Sequence, residues 1–124
     1  MAKRILDVGN CSMDHGAIRG MLVDQFQAEV LQAHGPHDTL ETVRRGGIDL
    51  VLINRKLDAD YTDGVEIVKL LKQTPETAHV PVMLVTNLPE YDQEAVAAGA
   101  TPGFGKKTLY AAETRRRLAE VLDA

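Results

Sequence analysis

Four junctions in the sequence hold residue types from which a polar site can be built: Gly9-Asn10-Cys11, Asn54-Arg55-Lys56, Thr86-Asn87 and Lys106-Lys107. Each closes, or lies just beyond, a short apolar run. Amides, a hydroxyl and cations in such places can hold an anion against backbone N–H groups, or fix a conformation by hydrogen bonds. The junctions carry no carboxylate. Asp58, Asp60 and Asp63 follow the second junction and are the oxygen donors a hard divalent cation takes. A run of that composition is ordinarily a solvated turn.

Other candidates are weaker. Cys11 is the single cysteine, so no internal disulfide forms, and a lone small residue at a strand end is ordinarily structural. His34 and His37 flank Gly35-Pro36 and read as a turn, because two histidines alone are a poor metal set. Asp14-His15-Gly16 has the wrong spacing for the D-x-H-x-x-G motif of cobalamin domains. No G-x-G-x-x-G or G-x-x-x-x-G-K-[ST] cradle is present for a nucleotide phosphate. Arg115-Arg116-Arg117, with Glu113 and Glu120 within reach, reads as a salt-laced exposed face.

The junctions need a scaffold, and the hydrophobic pattern predicts one. Runs 4–8, 49–54 and 80–86 are short, apolar and rich in β-branched residues, as strands covered on both faces are. Weaker strands are predicted over 28–32 and around Gly103-Phe104-Gly105. Between them, Ile18, Met21, Leu22 and Phe26 form one apolar stripe, with Ser12 as its expected cap. Further helices are predicted around Leu40 and Val43, ending at Gly46-Gly47, and from after Asp63-Gly64 to before Pro75. Two more are expected over 90–98, closed by Gly99, and over 109–122. Strict alternation implies a parallel five-stranded sheet between helical layers, a three-layer (βα)5 doubly wound α/β sandwich. Its functional crevice should lie beyond the carboxyl ends of the strands, where the four junctions fall.

At 124 residues the sequence suits a single domain, here 1–124. Hydrophobic residues make up 44% and charged residues 26%, which excludes disorder along the whole chain. A net charge of −4 argues against direct nucleic-acid binding. No signal-peptide pattern and no stretch near the roughly 18 apolar residues of a membrane span is present, so a cytoplasmic protein that does not engage membranes is expected.

In order and spacing these pieces resemble the CheY-like receiver domains of bacterial response regulators, with flavodoxin-like topology. The resemblance spans Lys3 to about Leu122. It rests on Arg4-Ile5-Leu6-Asp7-Val8, Asp49-Leu50-Val51-Leu52-Ile53, Asp63-Gly64-Val65-Glu66-Ile67, Val80-Pro81-Val82-Met83-Leu84-Val85-Thr86 and Ala97-Ala98-Gly99-Ala100. It implies a two-component phosphorelay role and a site of three carboxylates, a hydroxyl and a lysine. Here Gly9 and Asn10 stand at the acid pair, and Asn54 stands at the phospho-accepting aspartate. An amide cannot act as the carboxylate nucleophile, and glycine offers no metal ligand. The site is therefore expected to be neither phosphorylated at residue 54 nor loaded with Mg²⁺, and no other cofactor is implied.

Thr86 keeps the hydroxyl position, and Phe104 stands at the switch aromatic. The lysine is Lys106 by the count from Gly99-Ala100, or Lys107 if Phe104 is aligned to the aromatic. The loop after Asn54 is longer than the family's, so Asp58, Asp60 and Asp63 form the alternative metal set. The resemblance implies a pseudo-receiver that is not an enzyme. It would act through a protein partner, such as a histidine kinase, an output domain or another signalling protein. Tyr91, Phe104, Tyr110 and the arginine run are expected on its docking face, and homodimerisation through the last helix is a further expectation. The other reading is a small-molecule or anion sensor that uses the same crevice.

Overall fold

The computed structural model describes residues 2–122. Five parallel strands form one sheet: β1 (Arg4–Val8), β2 (Glu29–Ala33), β3 (Leu50–Asn54), β4 (Val82–Val85) and β5 (Thr101–Phe104), in the order β2-β1-β3-β4-β5. The connecting helices are α1 (Ser12–Phe26), α2 (Pro36–Arg44), α3 (Gly64–Gln73) and α4 (Pro89–Ala97), and α5 (Ala112–Leu122) follows β5. Among the described residues no helix is long and apolar enough to cross a membrane. The strand order reverses between β1 and β3, so the crevice predicted at their carboxyl ends lies there.

Side-chain alternation splits the core between the two faces of the sheet. Leu6, Val8, Val51, Ile53, Val82 and Leu84 pack toward α2, α3 and α4 with Val43, Val65, Val68 and Leu71. Ile5, Leu50, Leu52, Met83 and Val85 pack toward α1 and α5 with Ile18, Met21, Leu22 and Leu118. Fully burying one such side chain stabilises by roughly 1.5–3 kcal/mol, so the central strands hold the fold.

The structure moves some predicted boundaries. β4 is shorter than 80–86, and β5 starts two residues earlier than Gly103. Cys11, not Ser12, is the N-cap of α1, with its Sγ accepting from the Asp14 N–H at 3.5 Å. The last helix does not begin at Leu109: a 3₁₀ turn over Lys106–Thr108 comes first, and α5 starts at Ala112. Thr114 ties the two together, its hydroxyl donating to the Thr108 carbonyl at 2.7 Å.

Candidate functional site

The strand-end crevice brings Gly9, Asn10, Asn54, Thr86, Lys106 and Lys107 to one end of the sheet. Asn54 is the best constrained. Its Nδ2 donates to the Lys56 carbonyl at 2.7 Å and to the Gly9 carbonyl at 3.3 Å. Both amide protons are therefore engaged in joining the β1–α1 turn to the β3–α3 loop. A carboxylate here would set oxygens against two carbonyl oxygens, and only a cation would reconcile them.

Gly9 has φ +77°, a left-handed conformation that suits glycine. A Cβ on Gly9 would also lie 2.2 Å from Leu57 Cδ2. Leu57 comes from the longer loop and is fully buried. It is fixed by its N–H to the Thr62 carbonyl at 2.9 Å, by Tyr61 N–H to its own carbonyl at 2.8 Å, and by Asp58 N–H to the Gly9 carbonyl at 2.9 Å. The loop does fold inward, but it inserts an apolar plug, not its carboxylates.

Asp58, Asp60 and Asp63 are exposed and do not converge: Asp63 pairs with Lys56 Nζ at 2.8 Å, and Asp60 accepts from the Thr62 N–H at 3.0 Å. The Lys56 and Thr62 contacts hold the Asp63 and Asp60 carboxyls, respectively, below the usual range. The described residues contain no group of three or more His, Cys, Asp or Glu suited to a metal ion, which corrects the alternative of an acidic site in this loop.

On the other side of the crevice, Thr86 Oγ1 accepts from the Leu88 N–H at 3.1 Å and so opens α4. Asn87 Oδ1 accepts from the Lys107 N–H at 3.1 Å and pins the 3₁₀ turn. Lys107 is exposed, whereas Lys106 reaches back to α1, where its Nζ meets Asp14 Oδ2 at 2.8 Å. The geometry therefore selects Lys106 as the lysine that spans the crevice. Its hydrogen bond lowers the Asp14 carboxyl. A cavity of about 440 Å³ lies here, lined by Arg55, Lys56, Lys106 and Lys107 and by no carboxylate-bearing residue.

Phe104 is 6% exposed and packs in the core with Leu118, so it is not on the outer face expected of it. Tyr91 is half-buried, with the Arg55 guanidinium 4.4 Å from its ring centroid. Tyr110 is exposed, as are Arg115 and Arg116, and Arg117 Nη1 donates to the Gly103 carbonyl.

Sequence reasoning passed over one polar cluster. Asp7 lies fully buried in β1 and faces α1. Its Oδ1 accepts from Asn10 Nδ2 at 2.6 Å, and its Oδ2 lies 2.7 Å from His15 Nδ1. Burial pushes the Asp7 carboxyl up, against the hydrogen bonds from His15 and Asn10. The available signal was a charged residue in the middle of a strand otherwise apolar on both faces, with a histidine in the first turns of the next helix. Asn10 thus turns inward to Asp7. Its own Oδ1 is enclosed and unpartnered.

A five-stranded parallel sheet of this order, with polar groups at its strand ends, is the flavodoxin-like doubly wound arrangement that receiver domains share. Solved structures agree. The chain is similar to the signal receiver domain of a DNA-binding response regulator (merR) from Colwellia psychrerythraea 34H, with TM-score 0.81 and 22% identity over 98% of this chain and 99% of that one. It is similar to the receiver domain of a sensor histidine kinase from Pseudomonas aeruginosa PAO1, solved with magnesium in its active-site cleft, with TM-score 0.79 and 20% identity over the full length of both chains. It is also similar to the receiver domain of a Saccharomyces cerevisiae response regulator, solved with its histidine phosphotransfer protein, with TM-score 0.68 and 16% identity over 85% of this chain and 79% of that one. No protein-family model matches the sequence, and no curated protein does. The chain has the receiver fold.

Proposed function

We propose that residues 1–124 act as a receiver module of two-component signalling that is not phosphorylated at residue 54 and works by contact with another protein. The Leu57 plug beside Gly9 carries this reading, because it fills the space an acid side chain at residue 9 would need. Asn54 supports it, since its amide does the bridging that a bound cation would do between oxygen ligands. In this reading the protein is not an enzyme, binds no Mg²⁺ and works in the cytoplasm. Its partner is a histidine kinase, an output domain or another signalling protein, in keeping with the yeast receiver solved on its phosphotransfer partner. The contact face is that of α4, β5 and α5, where Tyr110, which is exposed, and Arg117, beside Gly103 of β5, supply residue types favoured at interfaces. A homodimer through α5 would use the same residues.

The test is incubation with Mg²⁺ and acetyl phosphate, followed by mass mapping, alongside capture of two-component proteins. Capture that needs Tyr110, with no hydroxylamine-sensitive acyl phosphate on any aspartate, is expected. Such an adduct on Asp58, Asp60 or Asp63 would overturn the reading.

The four cations lining the strand-end cavity, with Asn54, Thr86 and Asn87 beside them, support a second reading, a sensor of a small anion. Titration with inorganic phosphate should shift the amide resonances of Asn87, Lys106 and Lys107. Resonances that stay fixed would sink it.

A further inference from the structure

We propose that His15 Nε2 is a nucleophilic site that accepts a phosphoryl group from small anionic donors of the acyl-phosphate or phosphoramidate class. The inference goes beyond the contact reading and does not depend on it. Asp7 is enclosed by the core, and one of its oxygens already accepts from the Asn10 amide. Its other oxygen, 2.7 Å from His15 Nδ1, is the natural acceptor for the ring proton. The proton then sits on Nδ1 and the lone pair on Nε2. A buried carboxylate that orients an imidazole in this way prepares it for work as a base or nucleophile.

The far edge of the ring is left open. The His15 side chain is 17% exposed, and Nε2 has no hydrogen-bond partner among the described residues yet is not among the enclosed polar atoms. A histidine serving only to satisfy Asp7 would have no need of that opening.

The surroundings select the electrophile. Lys106 bonds Asp14, the residue beside His15, and also lines the cavity that carries Arg55, Lys56 and Lys107. The Lys106 ammonium carries three N–H donors, so beyond Asp14 it can meet the phosphoryl oxygens of an anionic donor. In the step, the Nε2 lone pair attacks phosphorus while the bond from phosphorus to the acyl oxygen breaks. An N–P bond replaces a P–O bond, and the electron pair leaves on the carboxylate. With phosphoramidate in its nitrogen-protonated form, the phosphorus–nitrogen bond breaks instead, and the electron pair leaves on ammonia. Nδ1 keeps its proton, and the charge that develops on the ring faces Asp7.

The full-length chain is treated with acetyl phosphate and, separately, with phosphoramidate, then read by intact mass, peptide mapping and phosphorus NMR. The expected product carries one phosphoryl group on His15, labile in acid and stable in alkali, where an aspartyl acyl phosphate would be lost. His15→Gln, whose amide still donates to Asp7, should abolish it. Asp7→Asn would donate to Nδ1 and move the ring proton to Nε2, so adduct formation should slow by on the order of a hundredfold or more and lose its wild-type pH profile. Circular dichroism checks that both variants fold.

No adduct from either donor, or an adduct that survives His15→Gln, would overturn the inference, and the first of these leaves the contact reading intact. A hydroxylamine-sensitive adduct on an aspartate alone would overturn both.

Discussion

At the scale of single residues, Asn54 and Asp7 are opposite uses of a polar side chain. Asn54 closes two loops with its amide protons. Asn54→Asp replaces those donors with an acceptor facing two carbonyls. It should cost roughly 2–3 kcal/mol in urea unfolding.

Asp7 is the reverse case, a carboxylate held where the core disfavours its charge. Because its folded value is raised, its contribution to stability is present below the ordinary carboxylate range and is lost as pH rises through the folded value. Asp7→Asn removes that loss and strands no buried charge, since His15 can be neutral and reaches water. The variant should therefore gain on the wild type as pH rises from acid to neutral in paired urea titrations. A wild type that grows relatively more stable over that range would contradict the assignment. A residue kept at a cost in stability fits a site with work to do.

At the scale of elements, the loop from Arg55 to Asp63 is the main departure. Lys56 and Asp63 bridge its base, the Gly64 N–H reaches the Arg55 carbonyl at 2.7 Å, and Leu57 points inward between them. Gly9→Ala meets both a positive φ and Leu57, and should cost roughly 2–4 kcal/mol. Leu57→Ala in the same chain should relieve the overlap, so the double variant should be more stable than the sum of the single losses predicts. A double-mutant cycle with no coupling would show that the two side chains do not compete for space.

This loop also marks the limit of what was legible. The strands were readable because runs such as Leu50 to Ile53 are buried on both faces and need no tertiary context. Gly9, Asn10 and Asn54 were readable by their place at strand ends. Leu57 was not, because one leucine in a polar loop has no periodicity to betray its burial. The Asp7–His15 contact joins a strand to a helix across a turn whose geometry is set only in the folded chain. The start of α5 moved because the Asn87 side chain and the Gly105 turn organise the residues before it, a contact between distant parts of the sequence.

At the scale of the whole molecule, a chain of net charge −4 carries a locally positive strand-end cavity and an outer face with an exposed tyrosine. Tyr110→Ala touches that face alone. It should leave the urea midpoint within the equivalent of about 0.5 kcal/mol while reducing capture of a two-component partner. Equal capture by the variant would move the contact surface elsewhere. Leu57 has a further consequence. An acid side chain placed at residue 9 meets a side chain embedded in the core, so making this crevice acidic requires the loop itself to be shortened or emptied.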